Sequence, residues 1–219
     1  MKKTFLERIS DITHIHRRAA FADVPDRIAA KETAFQVLAR ERYSCRAFKD
    51  TPLTDRQVNH ILEAARLAPT AANRQPVHVW VVKSPEGLEK LKGATDYTYG
   101  APAVFMVGAR ADAAWVRKYD GKNGAEVDAA IVGTHIMLEA SALGLGNVWV
   151  GSFDPAKVKA DFPETDGYEI VCLFPVGVAA ADPGPTHEVR QPMEQFASMI
   201  LKKEARPIGR ASFLVLDGH

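Results

Sequence analysis

Cysteine is scarce in this chain, with only Cys45 and Cys172 among 219 residues. Two cysteines so far apart in sequence form neither a metal-ligand pair nor a disulfide framework, and their scarcity fits a reducing compartment. The formal net charge is only +1, and no long run of Lys or Arg occurs. These absences argue against a metal site, a disulfide scaffold and a role in binding nucleic acid.

A long apolar run is also missing. The longest apolar stretch, residues 170–181, contains Pro175 and Gly177 and is too short to span a bilayer. The N-terminal sequence MKKTFLERISDITHIHRR alternates charged and apolar residues, so it lacks the continuous apolar core of a signal peptide. We therefore expect a cytoplasmic protein that does not associate with membranes.

Helical and strand patterns interleave along the rest of the sequence. A charged amphipathic helix is predicted for residues 1 to about 20, and Thr54 with Gln57 forms a capping box that opens the clearest helix, which Pro69 ends. Further helices are predicted at 28–41, 85–91, 126–143, from 155 onward and at 192–203, with strands at 78–83, 103–108, 147–151 and 169–178. This pattern indicates an α/β or α+β layered fold with a central sheet.

The helix predicted for residues 126–143 has apolar residues almost all round, among them Val127, Ile131, Ile136 and Leu138. A helix with so little polar surface usually lies at the centre of a core or in a subunit interface. His135, within it, is better interpreted as a core residue than as a metal ligand.

The segment Arg42–Phe48 follows a predicted helix end. If it is extended, Arg42, Ser44 and Arg46 share one face, while Tyr43 and Cys45 share the other. Two guanidinium groups beside a hydroxyl suit a phosphate or another anion, since arginine makes bidentate, charge-assisted hydrogen bonds. The alternative is a solvated basic edge.

A second segment, Ala68–Pro76, is a loop of small and amide residues that leads into a buried strand. Its amides, Asn73 and Gln75, offer hydrogen-bond donors and acceptors together, which is what the pyrimidine edge of a flavin requires. The alternative is a simple turn between a helix and a strand.

A third segment, Gly144–Phe153, begins with Gly-Leu-Gly. A dinucleotide-binding glycine motif would need a strand before it and a helix after it, and here the order is reversed. Gly144 is better explained as a helix C-cap, and Gly151 as a position where the backbone approaches a flat ring. A fourth segment places Arg190 just before the last predicted helix.

Taken together and in this order, the four segments resemble the nitroreductase family of FMN flavoproteins. The matching patterns are R-x-S-x-R-x-F at residues 42–48, A-P-T-x-x-N-x-Q-P at 68–76, G-L-G-x-x-W-x-G at 144–151 and R-x-P-x-E at 190–194. The resemblance covers roughly residues 30–200, and we assign residues 29–219 to one FMN-binding domain. Residues 1–28 are assigned to an N-terminal helical arm.

The resemblance implies an α+β fold, with a central, mostly antiparallel sheet flanked by helices, in an interlocked homodimer with FMN at the interface. It implies that Arg42, Ser44 and Arg190 hold the phosphate and ribityl chain, with Tyr43 beside them. Arg46 would lie near the N1–C2 edge of the flavin, Asn73 and Gln75 would bind the pyrimidine edge, and the backbone of Val150, Gly151 and Ser152 would approach N5. Arg74 departs from the small residues usual at its position, which indicates a narrower pocket or an acidic substrate.

The implied reaction is hydride transfer from NADH or NADPH to FMN, and from the flavin N5 to a nitroaromatic, quinone or activated alkene. No side chain is expected to act as a dedicated acid or base. Three alternatives remain at this point: a flavin enzyme with a specialised substrate, such as a dehalogenase or a dehydrogenase; a flavin-binding or flavin-sensing protein without turnover; and a structural dimer without a cofactor.

Overall fold

The computed structural model describes residues 33–201 and 204–207. The predicted N-terminal arm, residues 1–28, therefore lies outside the described residues. The chain divides into two compact units, of which one is residues 38–188 and the other contributes residues 33–37, 189–201 and 204–207 to the description. The helices are α1 (Ala34–Glu41), α2 (Asp55–Arg66), α3 (Pro85–Ala94), α4 (Ala125–Ala142), α5 (Pro155–Asp161) and α6 (Met193–Phe196).

A four-stranded sheet forms the centre of the larger unit. Its strands, in spatial order, are β1 (Val77–Val82), β2 (Ala103–Ala109), β4 (Glu169–Gly177) and β3 (Gly146–Asn147), and every neighbouring pair is antiparallel. All seven residues of β2 are buried, because strands cover both of its edges and helices pack on the sheet. The predicted central antiparallel sheet is confirmed.

Helix α4 packs against α2 and against the two inner strands. One side of it carries fully buried small and apolar residues, including Ala129, Ile136 and Ala140. Its Gly133 lets the helix approach the sheet closely: a β-carbon there would lie 2.9 Å from the Phe174 ring and 3.0 Å from Trp149. The other side keeps apolar residues too, with Val127 51% exposed, as expected for a helix that is apolar all round.

Local capping signals fix several helix ends as predicted. Thr54 and Gln57 form the complete capping box of α2. Ser84 caps α3 ahead of Pro85, although this helix continues to Ala94 rather than Leu91. Gly144, at φ +72°, ends α4. Its N–H donates to the carbonyl of Ser141, and the N–H of Leu145 donates to the carbonyl of Ala140, both at 2.9 Å. This pair of bonds is a Schellman motif, which satisfies the last carbonyls of the helix.

The strand predicted for residues 147–151 is wrong in its extent, because regular pairing stops at Asn147 and resumes only at Val150, which exchanges two hydrogen bonds with Leu173. Along a strand, every second residue directs its peptide N–H and C=O to the same neighbouring strand. After Leu173, the next residue of β4 that faces β3 in this way is therefore Pro175. Proline has no N–H to donate, and the ladder is interrupted there.

The helix predicted for residues 192–203 is also wrong. In the described part of this range, residues 192–201, the helix is limited to the four residues of α6, and Ala197 is already extended at φ −139° and ψ 148°. The chain continues as β5 (Ser198–Leu201), which pairs with β6 (Glu204–Pro207) in an antiparallel hairpin. Pairing with a later strand overrides the local helical pattern.

Candidate functional site

The segment Arg42–Phe48 is extended and held by two isolated bridges. Ser44 pairs with Asn147 in parallel orientation, and Phe48 pairs with Ala179. The predicted alternation is present: Cys45 is 1% exposed and points into the core, whereas Arg46 is exposed and Arg42 and Ser44 are half-buried. The two arginines and the hydroxyl therefore lie away from the core, as the sequence pattern predicted.

Arg42 lies against the C-terminal half of α4. Its Nη1 is 3.5 Å from the sulfur of Met137. A cavity of about 180 Å³ opens beside it, lined among others by Tyr43, Ser141, Gly144 and Gly146. Arg46 is turned back on its own segment, where its Nη1 donates to the carbonyl of Ser44 at 3.3 Å.

Tyr43 is tied to the far end of the larger unit. Its hydroxyl donates to the carbonyl of Ala181 at 2.7 Å, and its ring meets His187 edge-on at 6.0 Å between centroids. Burial raises the pKa of Tyr43 above its ordinary value, with smaller contributions from Cys45 and Asp182. The phenol therefore stays protonated and acts as a hydrogen-bond donor near neutral pH.

The second predicted segment, residues 68–76, contains a strained turn. Ala72, Asn73 and Gln75 have φ of +50°, +52° and +51°, in the left-handed region that residues other than glycine rarely adopt. The backbone N–H of Gln75 donates to Oγ1 of Thr70 at 3.0 Å, and its side chain donates to Oδ1 of Asn73 at 3.1 Å. This conformation presents two linked carboxamides, both exposed, at the entrance to β1.

A cavity of about 240 Å³ lies beside this turn. Its lining includes Thr70 and Gln75 from the turn, Val77 from β1 and Val132 from α4. The wall therefore combines apolar side chains with polar ones, among them the guanidinium of Arg66, and such a mixture suits a small-molecule site.

The two segments contact α4 at different levels. The N–H of Ala71 bonds Asp128 in the first turn of this helix, whereas Arg42 reaches Met137. Nine residues at 1.5 Å each put these contacts roughly 14 Å apart along the helix axis. The structure brings both segments to one helix but leaves a gap between them.

The third segment, Val150–Ser152, follows the interrupted strand. Val150 is buried on β4, whereas Gly151 and Ser152 are exposed. Thr95, buried at the end of α3, donates its hydroxyl to the carbonyl of Ser152 at 2.6 Å. Sequence reasoning missed Thr95, because 57 positions separate the two residues and no local pattern links them.

Arg190 belongs to the other unit and is exposed. Its Nη1 donates to the carbonyl of Val189 at 2.8 Å. It precedes α6 by three residues, and the longer helix that it was predicted to precede does not form. Its role in binding phosphate stays a prediction.

Within the described residues, no group of three or more His, Cys, Asp or Glu side chains could hold a metal ion. His135, on α4, has its Nδ1 2.9 Å from the carbonyl of Ile131, which accounts for it as a half-buried helix residue. No helix in this part of the chain is both long enough and apolar enough to cross a membrane.

Comparison with known proteins decides the family. A model described as the nitroreductase family matches residues 39–96 and 89–178. The chain belongs to the nitroreductase family. The match spans the arginine segment, the strained turn and the Gly-Leu-Gly run, and ends before Arg190.

Individual relatives support the same family assignment. A nitroreductase family protein from Clostridium difficile 630 is 36% identical, covers 74% of this chain and 95% of its own, and superposes with a TM-score of 0.70. A relative from Archaeoglobus fulgidus, named "Putative NADH dehydrogenase/NAD(P)H nitroreductase", is 35% identical over 51% of this chain and 64% of its own length. The chain thus spans a little less than two thirds of that relative.

A protein from Desulfovibrio desulfuricans, whose crystal structure is described as that of "a putative nitroreductase in complex with fmn", shares the fold with a TM-score of 0.65. Its 24% identity covers 80% of this chain and 99% of its own, and the likeness is one of fold.

Proposed function

We propose that this chain is an FMN-dependent oxidoreductase that passes hydride from NADH or NADPH to an electron-poor acceptor, such as a nitroaromatic, a quinone or an activated alkene. The observation that carries the proposal is the pair of segments on α4: a basic, hydroxyl-bearing strand at one level and a strained carboxamide turn at the other. Membership of the nitroreductase family, FMN in a neighbour of the same fold and the name of the archaeal relative support it.

The chemistry of the donors fits FMN. Arg42 and Ser44 offer a cation and a hydroxyl to the phosphate and ribityl chain. Asn73 and Gln75 each offer an amide donor and a carbonyl acceptor to the pyrimidine edge, which both donates and accepts. The separation of roughly 14 Å along α4 suits a long ligand that is anionic at one end and a polar ring at the other.

Arg46 would make the bound flavin ring easier to reduce. A cation beside the N1–C2 edge stabilises the negative charge that the reduced flavin carries, which makes reduction easier. The flavin supplies the hydride chemistry itself, so this chain has only to bind, orient and polarise it. Thr95 would assist by fixing the carbonyl of Ser152, next to the backbone proposed to approach N5.

We further propose that the working form is a homodimer. The support is the outward side of α4, where Val127 is 51% exposed and Ile131 and Leu138 are half-buried. These residues follow helical spacing, so they form one apolar stripe away from the core. In a two-fold dimer such a stripe packs on its own copy, and residues of both subunits can then complete each site. A cytoplasmic location stays a prediction.

The proposal is tested by titrating the purified protein with FMN and then adding NADH or NADPH. Bound FMN should give the visible absorption bands of a flavoprotein. These bands should bleach when NADH or NADPH is added and return when a nitroaromatic acceptor is added. Arg42→Ala should weaken FMN binding by about 10- to 150-fold, which corresponds to one charge-assisted contact of roughly 1.5–3 kcal/mol. Arg56→Ala, an exposed arginine on α2, is the matched control and should leave the affinity unchanged.

Each result separates the alternatives. Failure of the wild-type protein to bind FMN would contradict the proposed function. Bound FMN without turnover would favour a flavin-binding or flavin-sensing protein. Unchanged affinity in Arg42→Ala would refute the phosphate assignment alone.

A further inference from the structure

Asp128 is a buried carboxylate that the proposed chemistry does not use. It lies in the first turn of α4 and is 1% exposed. Its Oδ1 accepts a 2.9 Å hydrogen bond from the N–H of Ala71, whereas Oδ2 has no hydrogen-bond partner within the described part of the chain. A buried carboxyl group with one oxygen that makes no hydrogen bond destabilises a fold. Packing alone does not explain its presence.

The residue that Asp128 contacts begins the strained turn. Ala71 is the first residue of the 3₁₀ turn Ala71–Asn73, and Thr70 makes no side-chain cap bond to it. The hydroxyl of Thr70 instead accepts from the N–H of Gln75, at the other end of the turn. Three residues at positive φ persist only when surrounding contacts hold them. The bond from Asp128 supplies such a contact from α4.

We propose that Asp128 is a positioning residue for the ring of the bound flavin. It fixes Ala71, and through the rigid turn it fixes the carboxamides of Asn73 and Gln75 before the cofactor arrives. Preorganised donors bind more tightly than donors that must first be ordered, because the entropy of ordering is lost before binding. This inference rests on the proposed function, since it concerns the same site.

The structure supplies variants that separate this role from general stability. Asp128→Asn keeps an oxygen for the N–H of Ala71 and places its NH₂ where Oδ2 makes no bond in the described structure. Asp128→Ala removes the acceptor. Ala71→Pro removes the donor and leaves Asp128 in place, and Thr70, at φ −128° and ψ 156°, already has the backbone that a residue before proline adopts. Glu126→Ala, an exposed acid on the same turn of α4, is the control.

The experiment compares the dissociation constants of FMN and riboflavin, which lacks the phosphate, with the melting temperature of each unliganded variant recorded alongside. Asp128→Ala and Ala71→Pro should weaken binding of both ligands by about tenfold or more, because the ring contact is affected. Asp128→Asn should stay within about threefold of the wild type. Arg42→Ala should weaken FMN alone, which distinguishes a phosphate contact from a ring contact.

The outcomes are distinct. If the wild-type protein binds neither flavin, the proposed function itself fails. If it binds both, and Asp128→Ala or Ala71→Pro binds both equally well, the positioning role is refuted while the proposed function stands. If Asp128→Ala does not fold, the dissociation constants measured with Ala71→Pro decide whether Asp128 has the positioning role. Equal losses in Asp128→Asn and Asp128→Ala would also contradict the role, since the asparagine keeps the acceptor.

Discussion

The sulfur of Cys45 lies 2.7 Å from the position that a β-carbon would occupy on Gly146. Glycine is therefore required at residue 146, because any side chain would collide with the arginine segment where it pairs alongside β3. The backbone hydrogen bond from Cys45 to Asn147, at 2.9 Å, depends on this close approach. The second glycine of the Gly-Leu-Gly run is thus explained by packing between two chain segments.

Gly146→Ala is expected to lower the free energy of unfolding by about 1–3 kcal/mol, the usual cost of overpacking a buried site. Urea denaturation measures the loss. Gly184→Ala is the control, because a β-carbon at Gly184 would meet no atom of the described residues within 4 Å, and its effect should stay within about 0.5 kcal/mol. An equally stable Gly146→Ala protein would mean that the arginine segment can move away freely.

Sequence reasoning succeeded where the signal is local. The capping box of α2 and the prolines that open α3 and α5 identify helix starts because each cap bonds a backbone group within three residues. It failed after Asn147, where Pro175 on a distant strand decides the pairing, and after Phe196, where β6 decides it.

The candidate site shows the same division. The residue types of the arginine segment and of the carboxamide turn are visible in the sequence, whereas the residues that hold them are not. Asp128 and Thr95 each act on a backbone group 57 positions away. Only the fold brings such partners together.

Thr54→Ala is expected to destabilise the protein by about 1 kcal/mol. The substitution removes the oxygen that accepts from the N–H of Gln57, an otherwise unsatisfied donor in the first turn of α2. Thermal unfolding measures the change. Thr51→Ala, at an exposed threonine outside the helix, should have little effect, and an equal loss in both variants would show that the capping box adds nothing.

Thr95→Val is expected to lower the free energy of unfolding by about 0.5–1.5 kcal/mol, the usual net contribution of one hydrogen bond, because it removes the hydroxyl that donates to the carbonyl of the exposed Ser152. Thr134→Val is the control, because among the residues that the structure describes this exposed hydroxyl bonds the carbonyl of Ala130, within α4 itself. Chemical denaturation of both variants gives the comparison. Equal stabilities would show that the Ser152 carbonyl finds another partner.

The buried thiol of Cys172 makes stability depend on pH. Burial raises the pKa of Cys172 well above that of a free thiol, so the native protein keeps this proton at pH values where the unfolded chain releases it. The contribution of this thiol to the free energy of unfolding is fully present below about pH 8.5. It is lost as the pH rises further, by at most about 1.4 kcal/mol per pH unit.

Unfolding free energies measured between pH 7 and pH 9.5 should therefore fall more steeply in the wild type than in Cys172→Ala. Cys45 is present in both proteins, so its own contribution cancels in the comparison. Parallel pH profiles would show that the thiol of Cys172 reaches solvent in the native state.

If the proposed homodimer packs through α4, Val127→Glu is expected to convert it to a monomer in size-exclusion chromatography with light scattering. The side chain is exposed on the outward apolar stripe of α4, so a charge there would be buried without a partner only in a dimer. Ala160→Glu, on the exposed surface of α5, should leave the oligomeric state unchanged. A Val127→Glu dimer of wild-type affinity would place the interface elsewhere.

The arginine segment depends on residues that are made much later. Arg42 contacts Met137, 95 positions on, while Ser44 and Phe48 pair with Asn147 and Ala179. A nascent chain cannot complete these pairings until residue 179 has left the ribosome. If this segment holds the cofactor phosphate, as proposed, the cofactor is expected to bind only after most of the polypeptide has been translated.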